Sequence, residues 1–360
     1  MKKSEASIVI DVPFQKVPSK KVSVFYNPVM KLNRDICVLL ISSLKKKVSV
    51  ADPLAGSGVR SLRLLKECKN IKKVFANDIS PSAVSSIKKN AELNNLKLDV
   101  SNKDASVFLL ESNGFDYIDI DPFGSPNRFL DAAVKRISRG GILAVTATDT
   151  SALSGTYLFA CLRKYWAVPL RNFLMHEVGL RILIRKIQLV GAQFDKAFIP
   201  VFCHSSNHYM RVYLQCKKGK ANVNKMLSKH LFLHFNKKNF SITLNKFNSA
   251  SKDVLVAGPL WSGLLWDSSL IKKMLSKAEG EAKQLLEVIY EESLIGSVGF
   301  FDYYEICSKL KCSVPKQKTL INAVKKSGFK ASPTHFSSQS LRSNISSTAL
   351  LELISNLCSH

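Results

Sequence analysis

The stretch that decides the fold is Phe115-Asp-Tyr-Ile-Asp-Ile-Asp121, with Pro122-Phe123-Gly124 directly after it. The apolar run predicts a buried strand, and the acid, the proline, the aromatic residue and the glycine lie at its carboxyl end. This combination suits methyl transfer to a planar amino nitrogen, because a carboxylate can accept the N–H hydrogens while an aromatic ring stacks on the base. Asp-Pro at the end of a strand is also common in ordinary turns. This segment alone therefore does not distinguish a methyl-transfer site from a turn.

Outward from this stretch, between Val48 and Thr150, short apolar runs alternate with amphipathic segments. The alternation predicts βαβ units around a parallel sheet, and therefore the α/β fold class. The predicted strands are Val48–Asp52, Lys73–Asp78, Leu96–Val100, Phe115–Asp121 and Gly141–Ala147, with helices at Val59–Cys68, Pro81–Asn94, Ser106–Ser112 and Pro126–Ser138. Helices at Tyr157–Trp166 and Arg171–Gly191 follow, and then an antiparallel pair, Lys196–Cys203 with Tyr209–Cys216, that extends the sheet.

A change to Lys- and Asn-rich composition around Lys217-Lys-Gly-Lys220 predicts a domain boundary, with domains at 1–217 and 218–360. In the second domain the pattern predicts an amphipathic helix at Ser276–Ser293. Helices at Tyr303–Leu310 and Thr319–Ser327, followed by a strand at Gly328–Ser332, predict a small winged-helix-type element.

Composition indicates a globular protein with a polyanionic partner. With 360 residues and 46% hydrophobic content, the chain can bury a large core. Lys and Arg outnumber Asp and Glu by 53 to 27, a net charge of +26, which favours nucleic acid as the partner. Genomic bias toward lysine is the alternative explanation of this excess.

The eight cysteines contain no Cys-x-x-Cys pair and lie mostly in apolar runs. This usage predicts reduced core thiols in a cytoplasmic protein. The apolar run near the N-terminus is too short for a signal peptide, and no segment approaches the ~18–20 uncharged residues of a membrane span. We therefore expect a soluble protein without membrane contact.

The segment Asp52-Pro-Leu-Ala-Gly56-Ser-Gly58 follows the first predicted strand of the sheet and leads into a helix. Glycines let the backbone approach a ligand closely, and a helix start offers unpaired N–H donors. A dinucleotide-binding motif would need a third glycine, where this chain has Ser61, so a nicotinamide cofactor is disfavoured.

Four acids, Asp52, Asp78, Asp104 and Asp121, lie at or just after the carboxyl ends of successive predicted strands. Each alone could be a helix cap or a turn residue, but in an open α/β sheet those ends form one crevice. An acidic crevice suits a cationic, ribose-containing cofactor, and S-adenosylmethionine fits better than a polyphosphate. Asp78 could accept both ribose hydroxyls, and Asp104-Ala105 lies at the height of an adenine ring.

Two arginines are candidates to hold the methionine carboxylate of such a cofactor. Arg34 lies on a predicted helix upstream of the first strand of the sheet, and Arg60 follows the glycine loop. A guanidinium can bind a carboxylate through two hydrogen bonds. Either arginine could instead be solvated or pair with a neighbouring acid.

A set of motifs in order along nearly the whole chain resembles the tRNA guanine-26 N2-dimethyltransferase family. The motifs are Phe25-Tyr-Asn-Pro28 with Asn33-Arg-Asp35, Asp52-Pro-Leu-Ala-Gly-Ser-Gly58-Val-Arg60, Ala76-Asn-Asp78, Asp119-Ile-Asp-Pro-Phe-Gly-Ser-Pro126, Thr146-Ala-Thr-Asp149, His176-Glu-Val-Gly-Leu-Arg-Ile-Leu183, His208-Tyr-Met-Arg211, Gly258-Pro-Leu-Trp261 and Gly328-Phe-Lys-Ala-Ser-Pro-Thr-His-Phe336.

The resemblance implies a Rossmann-like class I S-adenosylmethionine-dependent methyltransferase domain followed by a smaller α+β RNA-binding domain. It implies dimethylation of the guanosine N2 amine at tRNA position 26, with tRNA as partner, and we expect a monomer. Carried onto this sequence, Asp121 would be the catalytic acid and Phe25 and Phe123 would position the guanine. The residues that would bind the cofactor are Arg34, Arg60, Asp78, Asp104 and Ala105.

The chain departs from the family pattern in the residues that could bind a metal ion. Members of the family often carry paired cysteines after the catalytic domain, with spacing suited to zinc. Residues 218–306 of this chain contain no cysteine, so we expect no metal. His176-Glu177 lacks the second histidine of a zinc protease helix, so we expect it to be structural or to tune the pocket.

Two rival functions stay open at this point. One is another amino-group methyltransferase, acting on adenine N6 in nucleic acid or on a protein amide. The other is a non-catalytic RNA-binding protein with a vestigial methyltransferase fold.

Overall fold

The computed structural model describes residues 1–12, 24–206 and 208–358. The strands are β1 Lys2–Glu5, β2 Ile8–Asp11, β3 Val48–Asp52, β4 Ile71–Asn77, β5 Asp99–Ser101, β6 Phe115–Ile120, β7 Ile137–Ala147, β8 Lys196–Ser206, β9 Tyr209–Lys218, β10 His230–Asn236, β11 Ile242–Asn245, β12 Val254–Trp261, β13 Phe301–Asp302, β14 Ala331–Thr334 and β15 Ser337–Ser343.

The helices begin after a short 3-10 turn at Pro28–Met30. They are α1 Lys31–Ser42, α2 Val59–Glu67, α3 Pro81–Leu93, α4 Ala105–Leu110, α5 Asn127–Arg136, α6 Thr150–Leu153, α7 Leu158–Tyr165, α8 Met175–Ala192, α9 Lys220–Leu227, α10 Ser268–Leu275, α11 Gly280–Ser293, α12 Tyr303–Leu310, α13 Gln317–Lys326 and α14 Ser347–Cys358. No helix among the described residues is long and apolar enough to cross a membrane.

A seven-stranded sheet with the order β5-β4-β3-β6-β7-β9-β8 forms the centre of the molecule. The five strands from β3 to β7 run parallel, which confirms the predicted βαβ arrangement and the α/β class. The predicted antiparallel pair of β8 and β9 is also confirmed. β9 additionally pairs with β7, so of these two strands only β8 lies at an edge of the sheet.

The strand order determines where the ligand-binding crevice of the sheet lies. From β3 the chain proceeds outward through β4 and β5 and then returns to β6 on the other side of β3. Neighbouring strands whose connections leave in opposite directions open a gap at their carboxyl ends, where ligands bind in such sheets. Asp52 ends β3 and Asp121 follows β6, so both acids border this gap.

An N-terminal hairpin of β1 and β2 was not predicted. The alternation at Ile8-Val-Ile10 is its only signal, and both isoleucines are buried in a cluster with Val59 and Leu62 of α2. The hairpin brings the buried carboxylate of Glu5 to Arg34, Arg63 and Tyr26. Burial raises the pKa of Glu5, but the hydrogen bonds and charges of these partners outweigh it, so the pKa is lowered.

The second half contains two three-stranded sheets, ordered β11-β10-β12 and β13-β15-β14. Helices α12 and α13 precede the β14–β15 hairpin, so the predicted helix, helix and strand are present, with the strand starting at Ala331. The amphipathic helix predicted at Ser276–Ser293 is present as α11, which starts four residues later than predicted, at Gly280, a residue with a positive φ of 55°. The predicted domain boundary stays a prediction.

A buried ionic clamp joins α8 to the second half. Arg342 donates to Glu177 at 2.6 Å and to Glu292 at 3.0 Å, and also to the carbonyls of Ser297 and Gly299. All three ionic side chains are nearly inaccessible. Burial raises the pKa of Glu177, but Arg342 and Arg181 lower it to about 2. Glu177 therefore holds the two halves together, in line with the structural role expected for it.

We predict that Arg342→Met lowers the free energy of unfolding by about 3–5 kcal/mol, because the buried carboxylates of Glu177 and Glu292 lose the cation that they share without regaining water. Thermal and urea unfolding would measure the change. Arg139→Met removes an exposed arginine and serves as the control. A stability loss no larger than that of the control would contradict the clamp.

Candidate active site

The glycine loop after β3 is tied directly to Asp78. Gly56 and Gly58 have positive φ angles of 55° and 77°, and a Cβ at Gly56 would lie 3.0 Å from the Phe25 carbonyl oxygen. The Gly56 N–H donates to Asp78 Oδ2 at 2.9 Å, and the Ser80 N–H donates to Oδ1 at 2.9 Å. Each carboxylate oxygen keeps a further acceptor site, so Asp78 can still receive ligand hydroxyls.

Asn77 connects three crevice loops, a role that was missed from the sequence. Its Nδ2 donates to the carbonyls of Pro53 and Lys103 at 3.1 and 2.9 Å, and its Oδ1 accepts from the Lys103 N–H at 3.0 Å. The loops after β3, β4 and β5 are therefore held together. Asp104 caps α4 by accepting from the Ser106 N–H at 2.8 Å, and Ala105 is buried in the first turn of that helix.

Below the crevice lies a buried charge cluster formed by Asp119, Arg211, Arg60 and Asp121. Arg211 of β9 donates to both oxygens of Asp119, at 3.0 and 2.6 Å. Arg60 Nη1 lies 3.5 Å from Asp119, and Arg60 Nη2 donates to Asp121 Oδ2. Burial raises the pKa of Asp119, but the charges of Arg211 and Arg60 outweigh it and keep the carboxyl ionised.

Asp121 is the most accessible of the acids near Pro122. Its side chain is 20% exposed, against 0% for Asp119. Asp149 is 13% exposed and is bound by Tyr165 Oη at 2.5 Å and Lys164 Nζ at 3.2 Å. Asp121 Oδ1 makes no hydrogen bond to any residue that the structure describes, so Asp121 is the acid best placed to meet a ligand.

The two arginines predicted to hold a methionine carboxylate both pair with acids. Arg34 donates to Glu5 through Nε at 2.7 Å and Nη2 at 2.5 Å, and to the Asn27 carbonyl at 3.1 Å. Arg60 donates to Asn33 Oδ1 at 3.0 Å besides its pair with Asp121. The structure therefore brings Arg60 to the predicted catalytic acid, while Arg34 faces the N-terminal hairpin.

The rings of Phe25 and Phe123 are in direct contact, with centroids 4.4 Å apart and planes at 77°. Phe123 is nearly half exposed. Two rings in edge-to-face contact leave no space between them, so a base can stack between them only after one ring moves. The structure thus brings together the two aromatic residues to which the family resemblance gives the positioning of the guanine.

Asp52 is a buried carboxyl that, among the residues described, accepts a side-chain hydrogen bond only from the Ser61 hydroxyl, at 2.8 Å. Burial, followed by the charge of Asp119, raises its pKa to about 7, while Arg60 opposes the rise. Nearby, Asn33 Nδ2 and Ser57 Oγ are buried and have no partner among the described residues. An ionisable acid, an unpaired amide donor and an unpaired hydroxyl fit a ligand that carries both a cation and a carboxylate, as S-adenosylmethionine does.

Asp119 and Arg211 were not predicted as site residues. Tyr117 and Asp119 are two residues apart in β6, and Asp121 continues this spacing directly after the strand. A period of two places such residues on one face of a sheet, and this is the signal that could have found Asp119. Arg211 had no such signal, because its contact depends on which strand β9 joins.

Comparison with known proteins identifies the family. Residues 4–355 match the family described as N2,N2-dimethylguanosine tRNA methyltransferase. The chain belongs to this family. The predicted family, enzyme class and S-adenosylmethionine cofactor are confirmed, and the adenine N6 and non-catalytic alternatives gain no support.

Individual relatives agree with the family assignment. The chain is 38% identical to the tRNA (guanine(26)-N(2))-dimethyltransferase of Methanothermobacter thermautotrophicus, with 98% of both chains covered. It is also 38% identical to the tRNA (guanine(26)-N(2)/guanine(27)-N(2))-dimethyltransferase of Aquifex aeolicus, covering 97% of this chain and 94% of the relative. The solved complex of Trm1 from Pyrococcus horikoshii with S-adenosyl-L-methionine is 33% identical, with a TM-score of 0.89 over 98% of this chain and 99% of that one.

No group of three or more His, Cys, Asp or Glu side chains in the described part of this methyltransferase is arranged to hold a metal ion. All eight cysteines are free thiols, and six of them are buried.

We predict that Asp52→Asn changes the pH dependence of stability. The folded-state pKa of about 7 lies above the ordinary 3.8, so the stabilisation by the neutral carboxyl is complete below pH 3.8 and is lost as pH rises through about 7. Asparagine stays neutral, so at pH 8 the free energy of unfolding of the variant should exceed that of the parent by up to about 4 kcal/mol. This difference in stability should shrink toward pH 4. Thermal unfolding from pH 4 to 8 measures this, with Asp99→Asn, an exposed acid, as control. A difference that does not change with pH would contradict the raised pKa.

Proposed function

We propose that this chain transfers methyl groups from S-adenosylmethionine to the N2 amine of guanosine at position 26 of tRNA, giving the dimethylated base. The observation that carries the proposal is the environment of Asp121. Arg60, on the helix that follows the glycine loop, holds one oxygen of this carboxylate, and the other oxygen has no hydrogen-bond partner among the described residues. Asp121 lies two residues before Phe123 of the Phe25–Phe123 pair. Family membership and the names of the relatives support the substrate.

The cofactor supplies, when bound, a methyl group on a cationic sulfur. We assign the ribose hydroxyls to Asp78, whose two oxygens are already oriented by the N–H groups of Gly56 and Ser80. Asp104 and Ala105 at the start of α4 are assigned to the adenine. Asn33 Nδ2 has no hydrogen-bond partner in the described part of the chain, so we assign it, together with Arg60 and Arg34, to the methionine carboxylate.

Asp121 is assigned to orient the target amine. The exocyclic N2 of guanine has its lone pair delocalised into the ring, so the amine reacts poorly until an acceptor takes its N–H hydrogens. Arg60 holds Oδ2 of Asp121, and Oδ1 stays available for one of those hydrogens. Asp121 then takes up the released proton, directly or through water, and its orientation supplies most of the rate enhancement.

Phe25 and Phe123 are assigned to hold the guanine once it has left the tRNA stack. Their edge contact must open for the base to enter, which makes base entry a conformational step. The amine reacts twice, so the pocket must also accept the monomethylated base.

The charge of +26 and the basic second half support tRNA binding through the phosphate backbone. We propose that residues 218–360 read the shape of the tRNA, and that the enzyme works as a monomer in the cytoplasm. Incubation with unmodified tRNA and labelled cofactor, followed by nucleoside mass spectrometry, tests the function directly. A tRNA with inosine at position 26 lacks the amine and should stay unmodified, and methylation of that tRNA would overturn the assignment.

We predict that Asp121→Ala lowers the methylation rate roughly 10²–10⁴-fold, the scale of a lost general base, while cofactor affinity changes by less than about twofold. Single-turnover methylation and calorimetry measure the two quantities. The matched control is Asp116→Ala at the opposite end of β6, where the carboxylate binds Lys46 and the Ser49 N–H. Near-normal turnover without Asp121 would move the catalytic role to another acid.

We predict that Asp78→Ala weakens cofactor binding by roughly 1–3 kcal/mol, because charge-assisted hydrogen bonds to the ribose are lost. Calorimetry with S-adenosylmethionine measures the loss, and Asp131→Ala, an exposed acid on α5, is the control. Unchanged affinity in a folded variant would remove Asp78 from the site.

A further inference from the structure

Helix α7 exposes an unusual concentration of apolar side chains. Tyr157 is 62% exposed, Phe159 71% and Trp166 50%, and Leu158 and Leu162 are also exposed. Leu158 and Leu162, like Phe159 and Arg163, are four residues apart and share one side of the helix. We call Tyr157, Leu158, Phe159, Leu162, Arg163 and Trp166 the α7 face. Only Cys161 and Tyr165 of this helix are buried.

The α7 face is fixed next to the reacting residues. Tyr165 Oη lies 3.2 Å from Ser125 Oγ, two residues beyond Phe123, and also donates to Asp149. Asn127 Nδ2 donates to the Lys164 carbonyl at 2.7 Å. The loop that carries Asp121 and Phe123 is therefore anchored to the opposite side of the same helix.

Trp166 is held as a rigid ring at the end of the face. The Lys186 ammonium lies over its ring, 2.9 Å from the centroid, and Arg185 donates to its carbonyl at 3.0 Å. Lys186 is itself buried. A buried cation against one face of an aromatic ring restricts the orientation of that ring, while half of the side chain stays open to a partner.

The charged residues around the α7 face indicate which kind of partner it binds. Residues 150–176 contain Arg163, Lys164 and Arg171 and no Asp or Glu. A second copy of this chain would bring the same cations face to face, since a twofold interface pairs a surface with itself. A polyanion with planar apolar groups matches both the cations and the aromatic rings, and nucleic acid has this chemistry.

We propose that the α7 face is an RNA-stacking surface on the catalytic half, where Tyr157, Phe159 and Trp166 stack on nucleotides that flank the target guanosine. The proposal rests on the proposed function. When a base leaves its stack, its neighbours lose a stacking partner, and aromatic rings beside the pocket replace that partner. Arg163 contacts the adjoining phosphate.

The test is the double variant Tyr157→Ala with Phe159→Ala. Stacking is worth roughly 1–3 kcal/mol per base, so tRNA affinity should fall about tenfold or more, with KM rising alongside. Cofactor affinity and the thermal midpoint should stay at the parent values, because the side chains are exposed. The conservative pair Tyr157→Phe with Phe159→Tyr keeps both rings and should restore binding. Leu93→Ala, which removes an exposed apolar side chain from the end of α3 in the catalytic half, is the control.

Salt dependence separates stacking from charge. Arg163→Ala should reduce the slope of log affinity against log salt by about one, whereas the aromatic double variant should lower affinity without changing that slope. Parent-like tRNA binding by the double variant would overturn the proposal. So would a parent dimer in sedimentation that the double variant dissociates, since the face would then bind a second copy. If the parent enzyme does not methylate tRNA, the proposed function is overturned instead. This result would be known before any variant is compared with the parent.

Discussion

The ion pair between Asp119 and Arg211 is the interaction on which the centre of the molecule depends. Asp119 is a fully buried carboxylate at the end of β6, and such a charge is strongly destabilising without a cation and hydrogen bonds. Arg211 supplies both, and it reaches Asp119 only because β9 lies antiparallel beside β7, where Arg211 is opposite Thr146. The insertion of β9 into the sheet and the ionisation of Asp119 therefore support each other.

This pair also sets the position of Asp121. Arg60 lies between Asp119 and Asp121 and contacts both, so the catalytic candidate is oriented by a cation that is itself held by a buried acid. A carboxylate oriented in advance needs little reorganisation when it meets an amine. Burial, and after it the charge of Asp119, raises the pKa of the neighbouring Asp52, and a cationic ligand in the crevice would favour its ionisation.

A second group of buried ion pairs, formed by Arg342 with Glu177 and Glu292, connects the two halves of the molecule. Glu177 belongs to α8, the helix that also carries Lys186 beneath Trp166. One helix thus connects the second half, the α7 face and the central sheet. Such a connection suits an enzyme whose substrate is large enough to touch all three.

Local patterns in the sequence were sufficient for the parallel strands, the glycine loop and the acids Asp52, Asp78, Asp104 and Asp121, because alternation, strand ends and glycine turns are properties of neighbouring residues. The family resemblance named Phe25 and Phe123 as the residues that position the guanine, and the contact between their rings is seen only in the structure. The partners of the buried arginines were decided only by the tertiary structure. Arg34 meets Glu5 through an unpredicted hairpin, and Arg211 meets Asp119 through the placement of β9. Ion pairs between residues distant in sequence follow from strand order, which hydrophobic periodicity does not encode.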